Sequence, residues 1–265
     1  MEAEAAGVKT VLVTGASSGI GRELAILCAA SGMNLVLVAT KQQKLKALAK
    51  ELTDRDGVAV EVIPADLADP ETPQALFERV AQKDLRVDVL INNAGVGAFG
   101  PFVELDAAAQ MAMIQLNVAA LTHLTRLFLP PMLKRGAGRV LNVASTAAFQ
   151  PGPLMAVYYA TKSYVLSFSE AVAEELRGTG VTVTALCPGP TASNFQERAD
   201  MKRSGLMRLG MMSSRQVAEE GFRAMMEGKA VHVTGLQNKV LAQSIRISPR
   251  FLVRRIVKRL QASAG

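Results

Sequence analysis

The stretch that decides the fold lies near the start of the chain and reads Val11-Leu12-Val13-Thr14-Gly15-Ala16-Ser17-Ser18-Gly19-Ile20-Gly21. An apolar run over residues 8–13 predicts a strand, and the pattern over residues 19–30 predicts a helix directly after the glycines. A phosphate-binding turn needs glycine because a side chain would hold the backbone away from the phosphate. The helix N-terminus then offers free N–H groups and the positive end of its dipole to an anion. The stretch therefore predicts a dinucleotide site, with an ordinary glycine-rich turn as the plainer alternative.

The same alternation of strand and helix continues along the chain. Further strands are predicted at residues 34–38, 58–63, 88–91, 139–143, 181–186 and 231–233, and their continuous apolar runs are typical of strands covered on both faces. Helices are predicted at residues 42–54, 71–83, 107–135 and 157–177, and from Ser213 or Ser214 through Met226. Pro130 and Pro131 should end or kink the third of these near Leu129. The repetition predicts an α/β fold, a single Rossmann-type doubly wound parallel β-sheet with helices on both faces, over residues 1–238.

Composition narrows the class of protein. The chain has 265 residues, of which 49% are hydrophobic, enough for one large buried core. Two cysteines cannot build a disulfide framework, and no Cys/His spacing resembles a zinc site, so no metal is predicted. The most apolar run, residues 118–133, contains His123 and Arg126, which argues against a membrane-spanning helix. The acidic start shows no secretory signal, and we expect a cytoplasmic protein.

The positive charge is concentrated at the end of the chain. Residues 239–265 carry seven of the 30 basic residues and none of the 23 acidic ones, so the preceding part is neutral. Within residues 249–260, five aliphatic residues fall on one side of a helix and four basic residues on the other. This basic amphipathic C-terminal extension favours packing on the domain or on a second subunit, and a peripheral membrane contact is the alternative. It lacks interleaved aromatic residues, so no nucleic-acid partner is predicted.

Six motifs in order carry a resemblance to a known family. The glycine turn has the spacing T-G-x-x-x-G-x-G, and it is followed by Asn92-Asn93-Ala94-Gly95, Asn117, Ser145, Tyr158-x-x-x-Lys162 and Pro188-Gly189. With these residues the chain resembles the short-chain dehydrogenase/reductase family over residues 8–193. The resemblance implies an oxidoreductase that moves a hydride between a nicotinamide cofactor and a hydrophobic ketone or secondary alcohol, as a carbonyl or ketoacyl reductase or a hydroxysteroid dehydrogenase does.

Tyr158 and Lys162 stand four residues apart and therefore share one helix face. A nearby ammonium group favours the phenolate, so we expect Lys162 to lower the pKa of Tyr158 from its ordinary value of about 10. The resemblance assigns proton exchange to Tyr158, ribose binding to Lys162, the substrate oxygen to Ser145 and a relay water to Asn117. The neighbouring Tyr159 is interpreted as a packing residue.

The end of the second predicted strand bears on the choice of cofactor. NAD-preferring relatives usually carry a carboxylate there, whereas this chain reads Val38-Ala39-Thr40-Lys41. We therefore predict NADP(H), with NAD(H) as the alternative. By resemblance, the cofactor-binding residues are Gly15, Ser17, Ser18, Gly19, Ile20, Gly21, Thr40, Lys41, Asp66, Leu67, Asn93, Ala94, Gly95, Tyr158, Lys162, Pro188, Gly189, Thr191 and Ser193.

The segment that follows, residues 194–212, resembles a substrate lid. It is rich in methionine and leucine and also carries Arg198, Lys202, Arg203 and Arg208, although an ordinary surface loop fits the same residues. The predicted partners are a small hydrophobic carbonyl or alcohol substrate and further copies of the chain, as a homodimer or homotetramer. The alternative function is a non-catalytic NAD(P)-binding redox sensor or membrane-associated scaffold. A protein that only binds nucleotide would not need a proton-transfer tyrosine.

Overall fold

The computed structural model describes residues 8–192, 195 and 211–262. Across these residues, seven parallel strands form one sheet in the order β3-β2-β1-β4-β5-β6-β9. The strands are β1 (Thr10–Thr14), β2 (Asn34–Ala39), β3 (Val60–Pro64), β4 (Val89–Asn92), β5 (Gly138–Val143), β6 (Val181–Cys187) and β9 (Val231–Val233). A separate short pair joins β7 (Thr191–Ala192) to β8 (Met212–Ser213).

Helices cover both faces of the sheet. They are α1 (Gly19–Ala30), α2 (Gln42–Asp56), α3 (Thr72–Gln82), α4 (Ala107–Ile114), α5 (Leu121–Arg135), α6 (Ala156–Glu175), α7 (Ser214–Met226), α8 (Leu236–Ile247) and α9 (Arg250–Ala262). A π-helical turn, Gln115–Ala120, joins α4 to α5 without a break, and a 3-10 turn, Thr146–Phe149, follows β5. Ser213 starts α7 with a capping box to Gln216, as its position in the sequence predicts.

Strand β1 illustrates why the strands read as continuous apolar runs. Val11 and Val13 belong to the core on the side of α1, α2 and α7, while Leu12 belongs to the core on the side of α3 and α5. All three side chains are fully buried, and each such burial contributes about 1.5–3 kcal/mol. The predicted doubly wound parallel sheet is confirmed.

The helix that contains Pro130 and Pro131 does not end at Leu129 but continues to Arg135. Contacts with other parts of the protein stabilise its last turn. Met132 is fully buried in the core, and Arg135 donates a hydrogen bond to the carbonyl of Val87 at 2.9 Å. The whole stretch Ala107–Arg135 is long and apolar enough to cross a membrane by length and composition. Leu124 and Phe128 nevertheless pack in the core against the sheet, so the stretch serves here as a core helix.

The strand order reverses between β1 and β4, which are hydrogen-bonded neighbours. In doubly wound sheets a ligand crevice forms at the carboxyl ends of the strands at such a point. The reversal brings Gly15, just after β1, beside Asn93 and Ala94, just after β4. Beyond the last strand, residue 238 lies inside α8, and the division of the chain into residues 1–238 and 239–265 stays a prediction.

Candidate active site

A cavity of about 1230 Å³ lies at the carboxyl ends of the strands. Its wall includes most of the predicted site residues, namely Gly15, Ser17, Ser18, Gly19, Ile20, Thr40, Asp66, Leu67, Asn93, Ala94, Gly95, Ser145, Tyr158, Lys162, Pro188, Gly189 and Thr191. Gly21, Lys41 and Asn117 are predicted site residues that do not line it. Ser193 and all of the predicted lid except Phe195, Met211 and Met212 lie outside the described residues.

The glycine turn has the shape that a pyrophosphate requires. Gly15 has a φ of 66°, a conformation that favours glycine, and a Cβ placed there would lie 2.7 Å from the Asn93 side-chain nitrogen. A Cβ on Gly21 would overlap the same amide. Among the described residues, no side chain caps the α1 N-terminus at Ser18, and the first turn holds no acidic residue. The free N–H groups and the positive dipole end therefore fit a dinucleotide phosphate.

Thr14 and Asn93 fasten this turn to the neighbouring strand. The Thr14 hydroxyl oxygen accepts hydrogen bonds from the N–H groups of Asn93 and Ala94, each at 3.0 Å. The Asn93 amide donates to the carbonyls of Thr14 at 3.0 Å and Gly15 at 3.3 Å. The side chain of Asn93, predicted to bind the cofactor, thus braces the turn. Thr14 stands inside the glycine motif but was not among the predicted site residues.

Asn117 lies in the π-helical turn and is buried. Its side-chain oxygen accepts from the Val96 N–H at 3.0 Å, and its nitrogen donates to the Val96 carbonyl at 2.9 Å and the Thr161 hydroxyl at 3.1 Å. The side chain therefore holds the chain after β4 against α6. Single π-turns are frequent at functional sites, and the predicted relay water at Asn117 stays a prediction.

Helix α6 brings Tyr158 and Lys162 to the cavity. The Lys162 Nζ atom donates to the carbonyl of Val143 at 2.7 Å and lies 5.9 Å from the centroid of the Tyr158 ring. A Cβ on Gly95 would lie only 3.5 Å from this Nζ atom. Because the ammonium is buried away from water, the pKa of Lys162 falls to about 8.

The phenol of Tyr158 behaves differently from the sequence prediction. Burial raises its pKa to about 12, while a hydrogen bond with Ser145 acts in the opposite direction. The predicted lowering of this pKa is therefore wrong for the protein alone, because the loss of phenolate hydration outweighs the hydrogen bond with Ser145. Ser145 itself accepts from the Ala147 N–H at 3.1 Å and donates to the Pro188 carbonyl at 3.4 Å. At neutral pH Tyr158 is a protonated acid.

This pKa can be tested by titrating phenolate absorbance. The chain has three tyrosines and no tryptophan, so the absorbance change reports tyrosine ionisation cleanly. We expect the difference between the wild type and Tyr158→Phe to stay flat through pH 10, because Tyr158 ionises only at about pH 12. A difference curve with a midpoint below pH 10 would contradict the assignment.

Tyr159 packs, as predicted, in a buried cluster with Ala147 and Met155. Its hydroxyl accepts a hydrogen bond from the Gln261 side-chain nitrogen at 2.9 Å, and Gln261 is fully buried at the end of α9. The C-terminal extension therefore reaches the wall of the cavity. Gln261 could not be predicted as a partner of Tyr159, because the two residues are 102 positions apart.

The part of the cavity wall around Tyr158 is apolar. The ring of Phe195 lies 5.3 Å from that of Tyr158, centroid to centroid. A Cβ on Gly97 would lie 2.6 Å from the Phe195 ring, so this glycine lets the ring approach. The surrounding wall is built by side chains that the sequence analysis did not single out, including Met113, Leu116, Met155 and Leu241.

The strand order, the glycine turn and the cavity with its tyrosine and lysine define a Rossmann-type dinucleotide-binding protein. The model of the short chain dehydrogenase family matches residues 9–204. The chain is 33% identical to the ketoacyl reductase HetN of Nostoc sp. over 232 residues, which cover 88% of this chain and 80% of that protein. The chain belongs to the short-chain dehydrogenase family and is an NAD(P)-dependent oxidoreductase.

Two solved structures show the same fold with bound nucleotide. A short-chain dehydrogenase from Sphingobium yanoikuyae in complex with NADPH is 34% identical, with a TM-score of 0.82 over 90% of this chain and 94% of that one. A short-chain dehydrogenase/reductase from Burkholderia phymatum in complex with NAD is 28% identical, with a TM-score of 0.80 over 89% and 92% of the two chains. Similar proteins therefore bind either nicotinamide cofactor.

Proposed function

We propose that this oxidoreductase uses NADP(H) to interconvert a hydrophobic ketone and its secondary alcohol by a Ser-Tyr-Lys mechanism, as a carbonyl or ketoacyl reductase or a hydroxysteroid dehydrogenase-like enzyme. One observation carries the proposal. Ser145, Tyr158 and Lys162 line the same cavity as the glycine turn, and the remaining wall of that cavity is largely apolar. The similarity to a ketoacyl reductase supports the same chemistry.

Each site residue has its own role in the proposed reaction. The glycine turn and the α1 N-terminus would hold the pyrophosphate, and Lys162 the nicotinamide ribose. The bound nicotinamide supplies or accepts the hydride. Ser145 donates a hydrogen bond to the substrate oxygen and orients it toward Tyr158. Tyr158, protonated at neutral pH, gives its proton to that oxygen during reduction and takes it back during alcohol oxidation.

The apolar wall supports a lipid-like substrate. Met113, Leu116, Met155 and Phe195 offer apolar surface to a chain or ring beside the carbonyl, and methionine adapts to varied shapes. A screen over methyl ketones of increasing chain length, measured by NADPH absorbance, tests the function. We expect kcat/KM to rise with chain length. Tight binding of NADPH without turnover of any ketone would instead favour a nucleotide-binding sensor or scaffold.

The cofactor preference rests on the end of β2. Thr40 lines the cavity, and Lys41, the N-cap residue of α2, is exposed beside it. No carboxylate stands at either position to repel a 2′-phosphate. These observations support a preference for NADP(H) over NAD(H).

Replacing Lys41 by alanine tests this preference. We expect the KM for NADPH to rise about tenfold, because one charge-assisted contact to the 2′-phosphate is lost, with the KM for NADH unchanged. Lys46→Ala, on an exposed part of the same helix, is the matched control. An equal change with both cofactors, or a lower KM for NADH than for NADPH in the wild type, would contradict the assignment.

The proposal includes three expectations about the setting of the enzyme. It acts in the cytoplasm on a small substrate, it assembles as a homodimer or homotetramer, and its C-terminal extension packs on the domain or on a second subunit, with a peripheral membrane contact as the alternative. Two exposed apolar side chains, Met111 on α4 and Tyr164 on α6, support self-assembly. Sedimentation velocity measures the assembly directly.

A further inference from the structure

Helix α8 presents an apolar face to solvent. Leu236, Val240 and Ile247 fall within about 40° of arc at 100° per residue, and they are 77%, 63% and 88% exposed. Ala242, which is buried, lies on the opposite side of this helix. The outward side of a surface helix ordinarily carries polar residues, so this face has the composition of a binding surface.

Helix α9 follows after only Ser248 and Pro249. It packs on the protein through Val253, Val257 and Gln261, which are buried at four-residue spacing. The apolar stripe predicted from the sequence is therefore only partly used for packing. Leu252 and Ile256 stay 44% and 48% exposed beside the buried row.

The charged residues along these two helices have one sign. Every charged residue from Lys239 to the end of the chain is basic. On α9 the exposed basic residues are Arg250, Arg254, Arg255, Lys258 and Arg259. Exposed aliphatic side chains beside several lysines and arginines complement a surface that is apolar inside and negatively charged outside. An anionic lipid bilayer has these two properties.

Helix α8 lies at the mouth of the cavity. Leu236 and Leu241 of α8 line the cavity wall, and they are 77% and 50% exposed. The cavity therefore opens beside the apolar face of α8. The hydrogen bond between Gln261 and Tyr159 anchors α9 to the wall of the same cavity.

We propose that the exposed face of α8 and α9 docks on an anionic lipid bilayer, so that the cavity mouth meets the membrane and takes up a substrate dissolved in it. The docking residues are Val240, Ile247, Leu252 and Ile256 with the basic residues of α9. This inference rests on the proposed function for its substrate, a long-chain ketone, but the docking itself does not depend on turnover.

Vesicle co-sedimentation of the full chain tests the docking. We expect binding to vesicles of phosphatidylcholine with about one-third phosphatidylglycerol to exceed binding to pure phosphatidylcholine at least about tenfold, and to weaken with added salt. Val240→Glu combined with Ile247→Glu should abolish it. Leu133→Glu is the matched control, because Leu133 is 38% exposed on α5, which packs on β4 and β5, whereas α8 packs beside β9. Equal, negligible pelleting with both vesicles would overturn the proposal.

Turnover separates the docking from the chemistry. The double variant should reduce a short soluble ketone at the wild-type rate but lose about tenfold in rate with hexadecan-2-one presented in anionic vesicles. If the wild-type protein reduces neither ketone but still binds the vesicles, the proposed function fails and the docking stands. If the double variant splits an oligomer in sedimentation velocity, or impairs soluble turnover, a second copy or another part of this chain covers the face, and the docking proposal is wrong.

Discussion

Replacing Tyr158 by phenylalanine is expected to lower kcat/KM for ketone reduction by about a thousandfold, within the range for loss of a general acid. The phenylalanine ring keeps the contact with Phe195, whose ring centroid lies 5.3 Å away, so the change removes only the hydroxyl group. Substrate binding should change little, since the apolar wall is intact. The measurement is steady-state reduction of the ketone that the screen identifies, with the dissociation constant for NADPH determined separately.

Tyr159→Phe is the matched control. It also removes one phenolic oxygen from the cavity wall, but this oxygen is engaged with Gln261 at 2.9 Å. We expect kcat/KM to stay within about tenfold of the wild type. Near-normal turnover by Tyr158→Phe with a large loss in Tyr159→Phe would exchange the roles of the two residues.

Replacing Lys162 by methionine is expected to lower kcat/KM about a hundredfold and to change the pH dependence of stability. The pKa of Lys162 is about 8 in the folded protein and about 10.5 when unfolded, so the buried ammonium costs about 3 kcal/mol at neutral pH. Above pH 8 the unfolded chain binds the extra proton. The free energy of unfolding of the wild type should therefore rise with pH between about 8 and 10.5 relative to the variant.

Urea unfolding at several pH values measures this difference. At pH 7 the variant should have the larger free energy of unfolding. Part of this gain is offset because the variant lacks the hydrogen bond to the Val143 carbonyl. The advantage should shrink as the pH approaches 10.5. A difference that stays constant across this range would show that Lys162 ionises normally and would contradict the lowered pKa.

Much of the fold was predictable because its determinants are local. Each central strand is covered on both faces, so consecutive residues inside a strand are apolar, as Val11, Leu12 and Val13 of β1 are. Such a run is visible in the sequence without knowledge of its neighbours. The turn after β1 needs glycine for its backbone conformation. Glycines therefore stand at a fixed spacing in the sequence. The continuation of α5 past Pro130 was not predictable, because distant contacts of Met132 and Arg135 hold its last turn.

The sequence predicted most of the residues that line the cavity, but it predicted less well what their side chains contact. Ser145, Tyr158 and Lys162 line one cavity as expected, whereas Asn93 and Asn117 use their side chains to hold backbone segments in place. The buried bonds from Asn92 to Thr125 and Asn142, and from Asn142 to Ser169, left no signal in the sequence. A polar residue in an apolar run does not reveal which partner satisfies it.

Backbone periodicity and local sterics determine the order of strands and helices, the glycine turn and the four-residue spacing of Tyr158 and Lys162. These features can therefore be predicted from the sequence alone. The direction of the Tyr158 pKa, the reach of Gln261 to Tyr159 and the exposed side of α8 follow instead from packing. Solvation of a group depends on everything that surrounds it, and those surroundings come from residues far apart in the chain.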